Sequence, residues 1–225
     1  MAVDVRDDLR EAQREAWQHI ASPGSWWTGA QRVRIAEVAR AAIGDDDPLP
    51  PWVGLSGSER YDDDGLVPTP AIDVAYRIAR HAGTMTESVY ETVSADIGEL
   101  PYVELCTVVS MVAAVVAFHR NAGLEVPPFP DAVAGDPTEE QPDELASAGL
   151  NWVPVAAPAD QMAAVVQAYT AVPAGLEMTW RLGAAQYIPN EEMVHPDWMR
   201  RPDGLTRPET ELIATRVAQL RECFY

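Results

Sequence analysis

The stretch LCTVVSMVAAVVAF, residues 105–118, is the most apolar run in the chain. A helix that spans a membrane needs about 20 such residues, whereas this run is shorter and includes Thr107 and Ser110. We therefore predict that it forms the central buried helix of the protein. Because no segment alternates apolar and polar residues over many positions, the sequence predicts little β structure. The expected fold class is all-α.

Boundary signals divide the rest of the chain into further helices. Thr28 with Gln31, and Thr84 with Glu87, have the spacing of capping boxes, in which two side chains satisfy free backbone N–H groups. Gly123 is expected to end the central helix. The predicted helices cover residues 4–20, 28–43, 69–83, 84–97, 101–123, 159–171 and 173–187, and a last one begins at 206.

Two similar helical lobes are the predicted domain organisation. Residues 124–158 are rich in proline and acidic residues and show no helical period, so we expect a linker between lobes 1–123 and 159–225. The start of the last helix, TRPETELIA at 206–214, also resembles TGAQRVRIA at 28–36. An internal duplication or shared capping chemistry would each produce this likeness.

The charge balance excludes two classes of partner. The chain carries 35 acidic and 16 basic residues, for a net charge of −19. Such a field repels phosphate backbones and anionic membranes, so neither nucleic acid nor a membrane is an expected partner. The N-terminal segment lacks the apolar core of a signal peptide, and two cysteines are too few for a disulfide scaffold. We expect a cytoplasmic protein with reduced thiols, no cofactor and no metal.

The last helix holds the sharpest pairing of chemical groups, Glu211 and Cys223. The twelve-residue spacing is roughly 18 Å along an ideal helix, so a break near the cysteine is needed to bring its thiol back to the carboxylate. The alternative is that Glu211 is a solvated surface residue and Cys223 a small core residue.

Three segments carry a resemblance to a known family: SPGSWWTGAQRVRIAEVARAA, YVELCTVVSMVAAVVAFHRNAG and LTRPETELIATRVAQLRECFY. They resemble the alkylhydroperoxidase and carboxymuconolactone decarboxylase-like family in its double-lobed, all-helical form. Its peroxidases have a Glu, eleven residues, a Cys, one residue, a His or Tyr, a second Cys, three residues and a His. This chain matches the pattern at Glu211, Cys223 and Tyr225, and the sequence stops before the second cysteine.

The resemblance implies a catalytic role for each of these three residues. Glu211 is the expected base, Tyr225 a proton relay, and Cys223 the resolving thiol that closes a disulfide with the attacking residue. The attacking residue follows Tyr225 in the family pattern. Three explanations stay open: a degenerate member, a shortened chain, or a UGA codon read as selenocysteine, which we favour. The first lobe carries no catalytic cysteine, because Val33 and Asp45 fall opposite Glu211 and Cys223.

The implied function is reduction of small hydroperoxides by a Cys-x-x-Cys or Cys-x-x-selenocysteine pair in a homo-oligomer, with an external thiol as electron donor. We expect little peroxidase turnover from residues 1–225, because Cys223 then lacks its partner. One alternative is a carboxymuconolactone decarboxylase-like lyase, whose activity would survive alkylation of Cys223. The other is a non-catalytic oligomeric binding protein of the same fold.

Other candidate groups have simpler interpretations. Cys106 lies on the most apolar helix, where a small core residue is expected. Glu104 and His119 lie about 22 Å apart along that helix, too far for a catalytic dyad. The loop 191–197 contains three acidic residues and one histidine, which is more typical of a solvated loop than of a metal site.

Overall fold

A computed structural model describes residues 3–44, 65–147, 151–156 and 163–220. Within those ranges the fold is all-α, as predicted, with eight α-helices and two short strands. The helices are α1 (Asp7–Ala21), α2 (Gly29–Ile43), α3 (Thr69–His81), α4 (Glu87–Ile97), α5 (Glu99–Ala122), α6 (Ala164–Gln167), α7 (Pro173–Gln186) and α8 (Arg207–Leu220). The strands β1 (Leu145–Ser147) and β2 (Pro154–Ala156) pair antiparallel.

Helix α5 is the centre of the bundle. Its side chains Leu105, Val108 and Val112 are fully buried, and α2, α3, α4 and α7 pack around it. Among the described helices it is the one long and apolar enough to cross a membrane, yet 61% of its most apolar window is buried inside the protein. Core helices of soluble proteins share these properties. The prediction of a buried central helix over 105–118 is confirmed.

Two predicted boundary signals are confirmed. The hydroxyl of Thr28 accepts the N–H of Gln31 at the start of α2, and the Gln31 side chain accepts the Thr28 N–H at 3.0 Å. Gly123 ends α5 with a φ of 68°, a left-handed conformation that glycine adopts without strain. These residues stop and start helices by local hydrogen bonding, which is why the sequence reveals them.

Two other boundaries lie elsewhere than predicted. Helix α4 begins after Thr86, whose hydroxyl accepts the N–H of Val89. Thr84 is not its cap, because Thr84 closes a single 3-10 turn and its hydroxyl donates to the His81 carbonyl. Helix α5 begins at Glu99, before Pro101, since a proline fits anywhere in the first helical turn.

Residues 124–144, predicted to belong to a linker, form an extended segment that we call the strap. The strap packs on α1: the Trp17 indole N–H donates to the Pro127 carbonyl at 3.1 Å, and its ring lies 4.9 Å from that of Phe129. The strap also bonds to the turn after α1, where the Val133 N–H donates to the Ala21 carbonyl at 2.8 Å. This segment is therefore held by hydrogen bonds and aromatic packing.

Helix α7 shares the core of the first five helices. Met178 and Leu182 of α7 belong to the same buried apolar cluster as α1 to α5, and Arg181 forms an ion pair with Glu15 of α1 at 2.6 Å. The predicted helix 159–171 is described only from 163, where α6 is a single turn followed by further turns. The division into two similar lobes stays a prediction.

Candidate active site

Glu211 lies on α8 and is held by two donors. The Tyr187 hydroxyl donates to Glu211 Oε2 at 2.6 Å, and the Arg207 guanidinium donates to Oε1 at 2.7 Å. Arg207 stands four residues before Glu211, the spacing at which helical side chains meet. Tyr187 directly follows the end of α7, so this hydrogen bond joins α8 to the bundle.

The Tyr187–Glu211 pair has defined protonation states. The hydrogen bond from Tyr187, supported by Arg207, holds the pKa of Glu211 below its usual value. Burial and the neighbouring carboxylate raise the pKa of Tyr187 to about 12. At neutral pH the pair is therefore a phenol that donates to a carboxylate.

A small apolar cavity adjoins this pair. It lies between α5 and α7 and has a volume of about 230 Å³. Its lining residues are Ser110, Met111, Ala114, Thr179, Leu182, Gly183, Gln186 and Tyr187. An apolar cavity of roughly 150 Å³ is enough to bind benzene, so this cavity has room for an aromatic or branched alkyl group.

Gln186 gives the cavity wall one defined polar group. Its side-chain N–H donates to the Ala114 carbonyl at 3.0 Å, which fixes the orientation of the amide because a carbonyl only accepts. The Gln186 carbonyl oxygen is buried without a hydrogen-bond partner. A free buried acceptor suits a ligand that brings a hydroxyl donor.

Two of the three predicted catalytic residues, Cys223 and Tyr225, lie outside the described residues. Helix α8 runs without a break from Arg207 to Leu220, so the predicted break is not in that part of the helix. From Glu211 to Leu220 the helix extends about 14 Å. The return of the Cys223 thiol towards Glu211 therefore stays a prediction. Asp45, the residue of the predicted first lobe that falls opposite Cys223, also lies outside the described residues.

Tyr187 is the residue that sequence reasoning missed. It stands 24 positions before Glu211 in a segment with no motif. The Arg207–Glu211 pair, by contrast, is readable from its spacing of four.

Cys106 is partly buried against the apolar core, close to the core position that the sequence predicts. It packs against the main apolar cluster, and burial raises the pKa of its thiol to about 12. A thiol with so high a pKa is not a nucleophile at neutral pH.

Glu104 and His119 do not meet but bind separate partners. The carboxylate of Glu104 lies 3.3 Å from Arg32, with side-chain exposures of 2% and 1%, and accepts the Trp26 N–H at 2.6 Å. His119 bonds to the Glu125 carbonyl and to the Gln13 side chain. Both residues therefore have structural partners.

The ion pair between Arg32 and Glu104 fixes the turn SPGSWW at residues 22–27. Arg32 donates to the Ser22 carbonyl at 2.9 Å, and any side chain at Gly24 would collide with the Glu104 carboxylate. His19 lies beside this pair, and burial together with the Arg32 charge lowers its pKa to about 3. Sequence reasoning missed this ion pair, because nothing in the spacing relates residue 32 to residue 104.

Two larger cavities lie away from the Tyr187–Glu211 pair. One, of about 440 Å³, lies between α3 and α4, and the other, of about 430 Å³, lies between α4 and Trp152. Neither is lined by a predicted catalytic residue. Within the described ranges, no group of three or more His, Cys, Asp or Glu side chains is placed to hold a metal ion.

Comparison of the chain with models of known protein families, with characterised proteins and with solved structures finds no significant match.

Proposed function

We propose that the protein is a thiol- or selenol-dependent peroxidase that reduces small apolar hydroperoxides, as its resemblance to the alkylhydroperoxidase family implies. The observation that supports this proposal is the position of Tyr187, which lines the apolar cavity and donates its hydroxyl hydrogen to Glu211. A carboxylate on the helix that leads towards Cys223 is thus bound to a phenol that lines an apolar cavity.

The chemistry requires two chalcogen atoms. The attacking thiolate or selenolate displaces alkoxide from the hydroperoxide, becomes a sulfenic or selenenic acid, and leaves an alcohol once the alkoxide takes a proton. Cys223 then attacks that acid, water leaves, and a disulfide or selenylsulfide forms. An external dithiol reduces this bond and restores both groups.

In this scheme Glu211 accepts the proton that the attacking group loses, directly or through Tyr225. Glu211 is ionised at neutral pH, the state in which a carboxylate accepts a proton, although its lowered pKa makes it a weak base. Tyr187 acts as a positioning residue, because its hydrogen bond fixes one Glu211 oxygen while Arg207 fixes the other. The cavity between α5 and α7 holds the alkyl group.

The test uses two forms of the protein, residues 1–225 and the same chain extended after Tyr225 by Cys-x-x-x-His. Reduction of cumene hydroperoxide is measured with dithiothreitol as electron donor. We expect little turnover from the first form and sustained turnover from the second. Glu211→Gln in the extended form should lower kcat/KM about a hundredfold, and Cys223→Ser should abolish multiple turnover.

A matched control separates catalysis from helix structure. Glu209→Gln alters another glutamate on α8, one that bonds to Thr206 at the helix start, and should leave kcat/KM within about threefold. Equal rates for the extended form and residues 1–225, or an unaffected Glu211→Gln variant, would contradict the proposal.

A lyase is the second candidate function. It is favoured by the fact that the Tyr187–Glu211 pair and the cavity wall contain no cysteine, so proton transfer there needs no thiol. Alkylation with N-ethylmaleimide distinguishes the two, because it should abolish peroxidase activity and leave lactone decarboxylation unchanged.

A further inference from the structure

The large apolar residues of helix α8 face away from the bundle, whereas a helix that packs on a core turns such residues inward. The partly buried residues are Arg207, Thr210, Glu211, Ala214 and Ala218, which recur at the spacing of one helical face. This face is polar or small, and it is the one that bonds to Tyr187 and to the Met193 carbonyl. No described residue of α8 is fully buried.

The large apolar side chains of α8 point outward. Leu212 is 71% exposed, and Ile213, Val217 and Leu220 are each more than half exposed. We call these four residues the outer face. Several large apolar side chains exposed together on one element are typical of an interaction surface.

The charges on α8 favour a second copy of the chain as the partner. The helix carries Arg207 and Arg216 against Glu209 and Glu211, so it is neutral in a chain of net charge −19. Two copies that meet on this helix avoid the repulsion that other surfaces would impose.

The order of the charges also fits an antiparallel pair. With a twofold axis between Leu212 and Ile213, Arg216 and Glu209 stand equally far from the axis, about 5 Å along the helix on either side. Arg216 of each copy then lies level with Glu209 of the other. A twofold contact of this kind is self-complementary, because each charge pair occurs twice.

We propose that the outer face of α8 binds the outer face of a second copy of this chain, as an antiparallel helix pair around a twofold axis. The apolar side chains form the contact, and the Arg216–Glu209 pairs set its direction. This proposal is independent of the peroxidase activity, since Glu211, which bonds to Tyr187, lies on the opposite face of the helix.

The first experiment measures the mass of residues 1–225 by sedimentation equilibrium from about 1 to 200 µM. We expect a concentration-dependent dimer. Val217→Glu should raise the dissociation constant about a hundredfold or more, because it places carboxylates in an apolar contact. Val165→Glu is the matched control: Val165 on α6 is 55% exposed and Val217 is 56% exposed, and this variant should dimerise normally.

The second experiment tests the direction of the pair by charge exchange. Arg216→Glu should weaken the dimer about tenfold, because each of the two pairs then brings two carboxylates together. Adding Glu209→Arg should restore the dissociation constant to within about threefold. Circular dichroism of each variant reports whether α8 stays helical.

A monomer at every concentration overturns the proposal. So does a dimer that is unaffected by Val217→Glu, or one that Val165→Glu weakens equally. If Val217→Glu dissociates the dimer but the double charge exchange restores nothing, the antiparallel arrangement is wrong.

Discussion

Two pairs of residues that lie far apart in the sequence hold the candidate site and the turn at 22–27: Tyr187 with Glu211, and Arg32 with Glu104. The spacing to Cys223 and the family resemblance predict Glu211, whereas no motif marks its partner Tyr187. The apolar run around Cys106 predicts a core residue, and its side chain is partly buried against the apolar core. Pairs that are far apart in sequence, such as Arg32 with Glu104, depend on how helices pack, and no local pattern encodes that.

The buried Arg32–Glu104 pair predicts a large loss of stability when it is broken. Glu104→Ala leaves a buried guanidinium without its counter-charge, so we expect the free energy of unfolding to fall by about 3–5 kcal/mol. Urea denaturation measures this loss.

The control for that loss is the exposed pair Arg181–Glu15. Arg181→Ala should cost less than about 1 kcal/mol. Replacing both buried partners, with Arg32→Met and Glu104→Leu together, should recover most of the loss. An equal cost for Glu104→Ala and Arg181→Ala would contradict this account.

Gly183 offers a direct test of the cavity between α5 and α7. A β-carbon placed on Gly183 meets no atom within 4 Å, so Gly183→Leu fills the cavity without a clash at its first atom. In the extended chain we expect the KM for cumene hydroperoxide to rise about tenfold while hydrogen peroxide reduction is unchanged.

The control for the cavity test is Gly183→Ala. This variant gains the same helix propensity, about 1 kcal/mol of stability, but its methyl group fills little of the cavity. If Gly183→Ala and Gly183→Leu change the KM equally, the cavity does not hold the alkyl group.

At the scale of elements, the sequence predicts helices well where local hydrogen bonds define them and poorly where tertiary contacts do. The capping residue Thr28 and the terminal Gly123 act within their own helices, so the sequence predicts both boundaries. Thr84 and Thr86 are both plausible caps, and only the 3-10 turn that uses Thr84 decides between them. The strap resembled a linker because its partners, Trp17 and Ala21, lie on α1.

Helix α8 depends on the Tyr187–Glu211 hydrogen bond for its attachment. Tyr187→Phe removes the donor, and we expect trypsin to cleave after Arg216 about three to ten times faster, as the loss of one partly exposed hydrogen bond implies. Tyr169→Phe is the control, since it removes a phenol that bonds to Ser110 of α5 and not to α8.

The effect of Tyr187→Phe should depend on pH. The hydrogen bond holds the pKa of Glu211 below its usual 4.5, so its contribution is present above that pH and lost as pH falls through the lowered pKa. The two proteins should be cleaved alike once Glu211 is protonated, which an acid-tolerant protease can measure. A difference that persists in strong acid would assign the effect to packing.

At the scale of the whole molecule, the pH dependence of unfolding follows from His19. Its pKa falls from 6.5 to about 3 on folding, through burial and the Arg32 charge. Because the unfolded chain binds the proton more tightly, this contribution is full above pH 6.5 and is lost as pH falls towards 3. The loss is at most about 1.4 kcal/mol per pH unit.

His19→Gln should flatten this part of the curve of unfolding free energy against pH. His195→Gln is the matched variant, because it removes an exposed histidine instead of a buried one. Denaturation by urea between pH 4 and 7 distinguishes them, and parallel curves for the natural chain and His19→Gln would refute the role of His19.

The contacts of α1 carry a consequence for the order in which this protein is made. The helix is synthesised before the strap and α7, yet Trp17 bonds 110 positions ahead to Pro127, and Arg181 reaches back 166 positions to Glu15. An emerging chain can therefore form α2, α3 and α5 against one another while α1 still lacks its contacts with α7. The bundle is completed only after α7 has been synthesised. Ribosome-bound chains that end before α7 should therefore leave α1 open to protease.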